Sequence, residues 1–281
     1  MRVSEVFAPT SLIETLSLIR KHPDALLWAG GTGILRLRVG RRPELPPTII
    51  SLEKVPELRA VGRSDRTLDL GATVVLSQLS SLGEGAVPEA LAESAAGIGT
   101  EALRNLATLG GNILCRERFG DAFPALACLD ALAEFRGPSG SRWMAVGRLA
   151  GKDRKPLVPP GEILIRVRVP LDPWDLSIVR KIGYPLWPDA DSGVFACLAR
   201  ASKGSLYEFR AAMGGPLFLR DRDTESALIG KRLPLQAREI ENARQSWRAR
   251  FEENLVPRRW IERFLAAVDE AFDALRAGVP R

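Results

Sequence analysis

Hydrophobic positions along the chain change period several times, and the changes divide it into three blocks. In SLIETLSLIRK, from Ser11 onward, apolar residues recur at helical spacing behind Ser11 and Glu14, which are placed as a capping box; Pro23-Asp24 ends the run. ALLW at 25–28 predicts a short buried strand feeding directly into glycines, and after a polar, proline-rich stretch to Pro47, TIISL predicts a second. Residues 1–56 therefore read as a small αβ unit with a glycine loop at the C-terminal end of a strand.

In the second block, 57–170, TLDLGA alternates like a strand and VPEALAESAAGIG has helical spacing. DAFPALACLDALAEF at 121–135 reads as a helix or as a helix followed by a strand. RWMAV and ILIRVRV predict further strands, the latter with Ile163, Ile165, Val167 and Val169 on one face and Arg166 and Arg168 on the other. The third block, 171–281, has candidate strands SIVRKI, VFACLARA and YEFRAAM, which suggest an antiparallel meander. Two long helical stretches, 236–254 and 258–278, follow. Strands followed by helices indicate an α+β fold.

Composition narrows the classes. The 281 residues are 46% hydrophobic and 26% charged, with no apolar run long enough to span a bilayer. The start, MRVSEVFAPTSLIETL, has acid and proline where a signal peptide needs an apolar stretch, so a cytoplasmic soluble protein is expected. Cys115, Cys128 and Cys197 form no CxxC pair, which argues against a disulfide framework, a zinc site or an iron–sulfur cluster held by this chain alone. The single histidine, His22, sits in polar RKHPD and leaves little room for histidine catalysis. A net charge of +6 is compatible with an anionic partner such as nucleic acid. The arginines are nevertheless spread among 34 acids, and the concentrations at Arg36–Arg42 and Arg244–Arg263 do not interleave with aromatics, so solvated faces are expected there.

Two glycine pairs carry candidate chemistry. Ala29-Gly30-Gly31-Thr32-Gly33 follows the first strand, and Thr108-Leu109-Gly110-Gly111-Asn112 lies in the second block. Each can be a plain turn. Neither is a Walker A loop or a GxGxxG fingerprint. Glycine also permits positive φ and close ligand approach, so consecutive amides can form an anion nest, with Thr32, Thr108 and Asn112 as polar companions. Two such loops facing each other suit a diphosphate.

The ordered set Ala29-Gly30-Gly31-Thr32, Arg104-Asn105, Thr108-Leu-Gly110-Gly111-Asn112-Ile113, Asp121 and Pro124 resembles the FAD-binding subunits of molybdenum hydroxylases, the xanthine dehydrogenase and carbon monoxide dehydrogenase type. The resemblance continues through Gly161-Glu-Ile-Leu164, Lys181-Ile-Gly183 and Phe209–Pro216 to Leu228-Ile-Gly-Lys231, and so covers almost the whole chain.

It implies two αβ subdomains of the vanillyl-alcohol-oxidase type clasping FAD, 1–56 and 57–170, and a smaller α+β domain, 171–281. It also implies a first diphosphate loop formed by Leu27, Trp28, Ala29, Gly30, Gly31, Thr32, Gly33 and Ile34, and a second by Thr108, Gly110, Gly111 and Asn112. Ile98 would lie against the flavin, Asp121 would accept hydrogen bonds from its ribityl or ribose hydroxyls, and Leu164 and Lys181 would border the ring. Read from the residues alone, Asp121 also fits a helix N-cap ahead of FPALACL. The implied function is an electron-transfer subunit. Electrons would arrive from a molybdopterin large subunit through an iron–sulfur small subunit, and would leave for NAD or another acceptor. Gly33 and Glu117-Arg118 depart from the relatives' pattern, and they support an alternative, a flavin-free scaffold of the same fold.

Overall fold

The structure, a computed structural model, describes residues 3–36, 45–82, 85–115, 117–151, 156–157, 161–183 and 191–277. The basic positions 37–42 lie outside the described residues. With 37% helix and 29% strand, the fold is α+β.

The first sheet is parallel. It contains β1 (Glu5–Phe7), β2 (Leu26–Trp28) and β3 (Thr48–Ser51) in the order β1-β3-β2, with α1 (Leu12–Lys21) and the short α2 (Thr32–Arg36) between strands. Ser11 caps α1, its hydroxyl accepting the Glu14 N–H at 3.2 Å. The reciprocal arm differs from a capping box: Glu14 Oε2 accepts from the N–H of Thr10, one residue before the cap, at 2.8 Å. Leu12, Ile19, Ile50, Leu52, Val55 and Leu58 form the core of this unit.

Next come β4 (Val61–Arg63), β5 (Thr67–Gly71), α3 (Leu76–Ser81), α4 (Glu89–Ala96), α5 (Glu101–Arg104), α6 (Leu109–Ile113), α7 (Phe123–Cys128), β6 (Leu132–Gly137), β7 (Gly140–Ala145) and β8 (Ile163–Pro170). The stretch 121–135 thus resolves into a helix and a strand. The five strands pair antiparallel in the order β4-β5-β8-β6-β7. On β8 the expected single apolar face is broken. The β6–β8 register shifts between Glu134 and Phe135, so that Glu134 opposes Arg166 while Phe135 opposes Leu164, leaving Ile165 as the bulged residue. A bulge exchanges the faces beyond it. Ile163 and Ile165 accordingly pack into the first core, whereas Leu164, Val167 and Val169 pack into the second. One strand serves two cores.

The last part holds β9 (Leu176–Ile182), β10 (Gly193–Ser202) and β11 (Ser205–Gly214), an antiparallel meander in the order β11-β10-β9. α8 (Arg222–Ala227), α9 (Ala237–Glu253) and α10 (Arg258–Ala277) follow. β10 reads as an unbroken apolar run because both of its faces are covered. Phe195, Cys197 and Ala199 meet α9 and α10, while Ala196 and Leu198 join the second core beside α7. Trp247 of α9 and Trp260, Phe264 and Phe272 of α10 fill the third core, each contributing about 1.5–3 kcal/mol by leaving water. The arginines of these helices find acids, as in Arg248–Glu262 at 2.6 Å and Arg259–Asp191 at 2.9 Å, which accounts for the basic run at 244–263 as helix surface.

Candidate functional site

The first glycine loop begins where β2 ends. The Trp28 carbonyl accepts the Leu52 N–H at 2.7 Å and leaves the chain free to turn. Gly30 then presses against the second loop's approach: a Cβ there would stand 1.7 Å from the Leu106 carbonyl oxygen and 3.3 Å from the Ala107 Cα. Gly31 has φ +67°, and a Cβ on it would come 2.3 Å from Cζ2 of the Trp28 indole. Both positions are closed to any other residue. Among the described residues, no hydrogen-bond acceptor takes up the backbone N–H groups of Gly30 and Gly31. Thr32 then opens α2, whose first N–H groups have no intrahelical partner. Gly33 has nothing within 4 Å of where its Cβ would be. Leu27 and Ala29 are half-buried against the first core, and Ile34 is half-buried.

The second loop is built differently. Thr108 caps α6, its Oγ1 accepting the Gly111 N–H at 3.1 Å. The Leu109 N–H goes to the Val74 carbonyl at 2.9 Å, that of Gly110 to Ala72 at 2.8 Å, and that of Asn112 to Thr108 at 2.9 Å. Four successive amides are therefore satisfied within the chain. The open nest expected of the second loop is thus not formed, because its amides are taken up by the chain itself. Glycine is needed at 110 for packing, since a Cβ would lie 2.8 Å from the Ala72 carbonyl oxygen and 3.3 Å from Leu164 Cδ2, which places Leu164 directly beside this loop. Asn112 extends the contact, its Oδ1 accepting the Ala122 N–H at 3.1 Å.

Asp121 is not the cap of α7. The cap position is Ala122, whose side chain offers no hydrogen bond, and its N–H is already met by Asn112. The Asp121 carboxylate turns instead to Lys181 of β9, with Oδ2 2.8 Å from Nζ. The same ammonium donates to the Gly97 carbonyl at 2.6 Å. Ile98, next in the chain, is 9% exposed and packs on the second core. Arg104 Nη1 donates to the carbonyls of Ile98 at 3.1 Å and Gly99 at 3.0 Å. Ile98, Asp121 and Lys181, scattered along the chain, are thus brought together, and Arg104 joins them through the Ile98 carbonyl.

Arg118 is buried, and its Nη2 donates to the Ser192 carbonyl at 2.8 Å, tying this stretch to the C-terminal part. The adjacent Phe119 N–H reaches Gly215 at 2.8 Å. Glu117 is exposed. A shallow surface depression of about 350 Å³ lined by Thr10, Glu53, Lys54, Pro56, Arg59 and Ala60 includes none of the site residues. Burial drives the Cys128 thiol up to about 12 and raises Cys197 as well, so neither is a thiolate near neutrality.

Residues 2–172 match the family described as the FAD binding domain in molybdopterin dehydrogenase. The chain belongs to this family. It is 27% identical over 257 residues to the xanthine dehydrogenase FAD-binding subunit of Escherichia coli O157:H7, covering 86% of this chain and 87% of that one. It is 32% identical over 177 residues to aldehyde oxidase 2 of Cavia porcellus, where it spans 13% of the relative's length and 58% of its own. A structure of carbon monoxide dehydrogenase from Hydrogenophaga pseudoflava lacking the Mo-pyranopterin moiety superimposes with a TM-score of 0.77 at 26% identity, covering 87% of this chain and 86% of that one. As a member of the family, the chain is a FAD-binding component of an oxidoreductase. Among the described residues, no helix is long and apolar enough to cross a membrane.

Proposed function

We propose that this chain is the electron-transfer subunit of a molybdopterin-dependent hydroxylase or dehydrogenase in the cytoplasm, taking electrons from iron–sulfur clusters on a small partner subunit that is itself fed by a molybdopterin large subunit, and delivering them through FAD to NAD or another acceptor. The observation that carries the reading is the packing of Gly30 onto Leu106 and Ala107, which sets the open amides of the first loop beside Thr108 at the head of the second. Neutral amides and a threonine hydroxyl suit a diphosphate, and a carboxylate suits hydroxyl donors.

In this reading Leu27–Ile34 and Thr108–Asn112 hold the diphosphate, the first loop through its free N–H groups and the second chiefly as its support. Asp121 accepts from the ribityl or ribose hydroxyls while Lys181 holds it in place. Ile98 and Leu164 exclude water from the ring. When bound, FAD supplies the redox chemistry; the chain binds it, orients it and shields it. Residues 1–56 and 57–170 form the two flavin-clasping units and 171–281 the smaller C-terminal one. The three cores support this division in the main, although Leu58, Ile163 and Ile165 pack into the first core and Ala196, Leu198 and Ala212 into the second. Gly33 faces open space and Arg118 turns to Ser192, so neither departure from the relatives' pattern intrudes on the loops.

The test is purification with FAD added back, followed by absorption in the flavin band and identification of co-purifying chains. A bound flavin together with a cysteine-rich chain and a much larger chain is the expected outcome. If the isolated, FAD-loaded chain turned over an organic substrate with an artificial acceptor at about 1 per second or faster, the subunit reading would give way to a self-contained oxidase.

A further inference from the structure

Three consecutive carbonyls, those of Gly97, Ile98 and Gly99, follow the end of α4, and two cations hold all three. Lys181 takes the first from the side of β9; Arg104, one turn further along the chain, takes the other two with a single nitrogen, Nη1. Basic side chains often meet the last carbonyls of a helix. Here, however, the carbonyls lie beyond the helix, in a turn where Gly99 stands at φ +49° and the Gly97 and Ile98 N–H groups are already bonded back to Glu93 and Ala95. The N–H groups anchor the turn to α4, and the two cations fix its carbonyls.

We propose that Arg104 is a positioning residue for the flavin ring, holding the Ile98 backbone so that its side chain presents a fixed apolar wall. The inference rests on the reading that places Ile98 at the ring. Nη1 carries two hydrogens and gives one to each carbonyl, so the Ile98 and Gly99 peptide planes are set relative to each other by one half-buried atom. Arg104 itself is held by α5, whose Thr100 cap accepts the Leu103 N–H at 3.3 Å. Loss of the guanidinium would leave Ile98 in the neighbourhood but with its orientation unspecified.

The experiment uses the full chain loaded with FAD and freed of any iron–sulfur partner, and reads the visible circular dichroism of the bound flavin, which reports the surroundings of the ring. Arg104→Met should fold, bind FAD about tenfold more weakly and show an altered flavin signal. Arg104→Lys should restore the wild-type signal, since an ammonium can also donate to two carbonyls. Ile98→Tyr is the control for the underlying reading, because an aromatic side chain at the ring must change its signal. If Ile98→Tyr alters the signal and Arg104→Met leaves it unchanged, the positioning role is overturned and the site reading stands. If neither alters it, Ile98 is not at the ring and both fall. Should Arg104→Met fail to fold, Gly99→Ala tests the contact from the other side: alanine is strained at φ +49° and turns the Gly99 carbonyl away from Nη1. An unchanged flavin signal in that variant overturns the proposal; an altered one supports it.

Discussion

Lys181 Nζ lies 2.8 Å from Asp121 Oδ2 and 2.6 Å from the Gly97 carbonyl oxygen, so one ammonium on β9 joins the carboxylate ahead of α7 to the turn after α4. Both side chains of the pair are mostly buried, at 18% and 10% exposure, and removing one leaves the other's charge poorly solvated. Lys181→Met and Asp121→Asn should each lower thermal stability and FAD affinity, while the double variant should lose less than the sum. A coupling of at least about 0.5 kcal/mol is expected from melts and FAD titrations of the four proteins; additive losses would show that the two residues act independently.

Gly30 and Gly33 are close in sequence and opposite in demand. Alanine at 30 drives a methyl into the Leu106 carbonyl, forcing the loops apart, whereas alanine at 33 meets nothing within 4 Å and sits in a helical turn. Gly30→Ala should cost about 1–3 kcal/mol of stability and most FAD binding. Gly33→Ala should be neutral or stabilising by up to about 1 kcal/mol. Denaturant melts with parallel FAD titrations separate the two.

Gly111→Asp attacks the second loop. Its Cβ would stand 2.9 Å from Thr108 Oγ1, displacing the capping hydroxyl and, in the proposed reading, adding negative charge beside the diphosphate. Loss of the Thr108 hydroxyl's contact with a charged phosphate would cost about 1.5–3 kcal/mol. FAD affinity measured by titration should fall at least about tenfold, and an unchanged value would remove this loop from the site.

The flavin should be held noncovalently. His22 packs against Phe7 with ring centroids 4.8 Å apart and the planes tilted by 36°, Cys128 and Cys197 are fully buried, and burial carries the Cys128 thiol to about 12. Acid or heat should therefore release all the colour from the precipitate. Alkylation of the native protein at neutral pH should label half-buried Cys115 and spare the other two until unfolding, as peptide mass mapping would report.

Asp69 gives an acid-side signature. Its hydrogen bonds with Arg168, 2.7 and 2.8 Å, outweigh desolvation and hold its carboxyl below the usual 3.8. A folded-state value below the unfolded one means that the associated stability is complete above about pH 4 and is lost as pH falls through the lowered value. Asp69→Asn should flatten the decline in urea stability below about pH 4. An unchanged slope would assign that decline to other carboxylates.

Where the sequence misled, a partner distant in the chain had intervened. Strict alternation put Ile163, Ile165, Val167 and Val169 on one face, but the bulge is a property of the pairing of β8 with β6 and leaves no mark on either segment alone. Asp121 has the composition and place of a helix cap, yet the Phe123 N–H goes to the Gly120 carbonyl, Pro124 has no N–H to offer, and Lys181 claims the carboxylate. β1 and β4, each three residues long, are too short to show a period.

The sequence by itself determined the longer helices and strands, the α+β class and the positions of both glycine pairs. Apolar periodicity and the steric demands of glycine act over a few residues, and they survive whatever the rest of the chain does. Tertiary structure alone decided how those pieces become a site. Lys181 meets Asp121 across 60 residues and Gly97 across 84, and Arg118 meets Ser192 across 74. It also decided that, among the described residues, nothing accepts the Gly30 and Gly31 N–H groups of the first loop while the second spends its own on Ala72, Val74 and Thr108. Two stretches with nearly the same residues diverge because a free amide depends on which carbonyls the fold brings within reach, and that is set by the packing of remote segments.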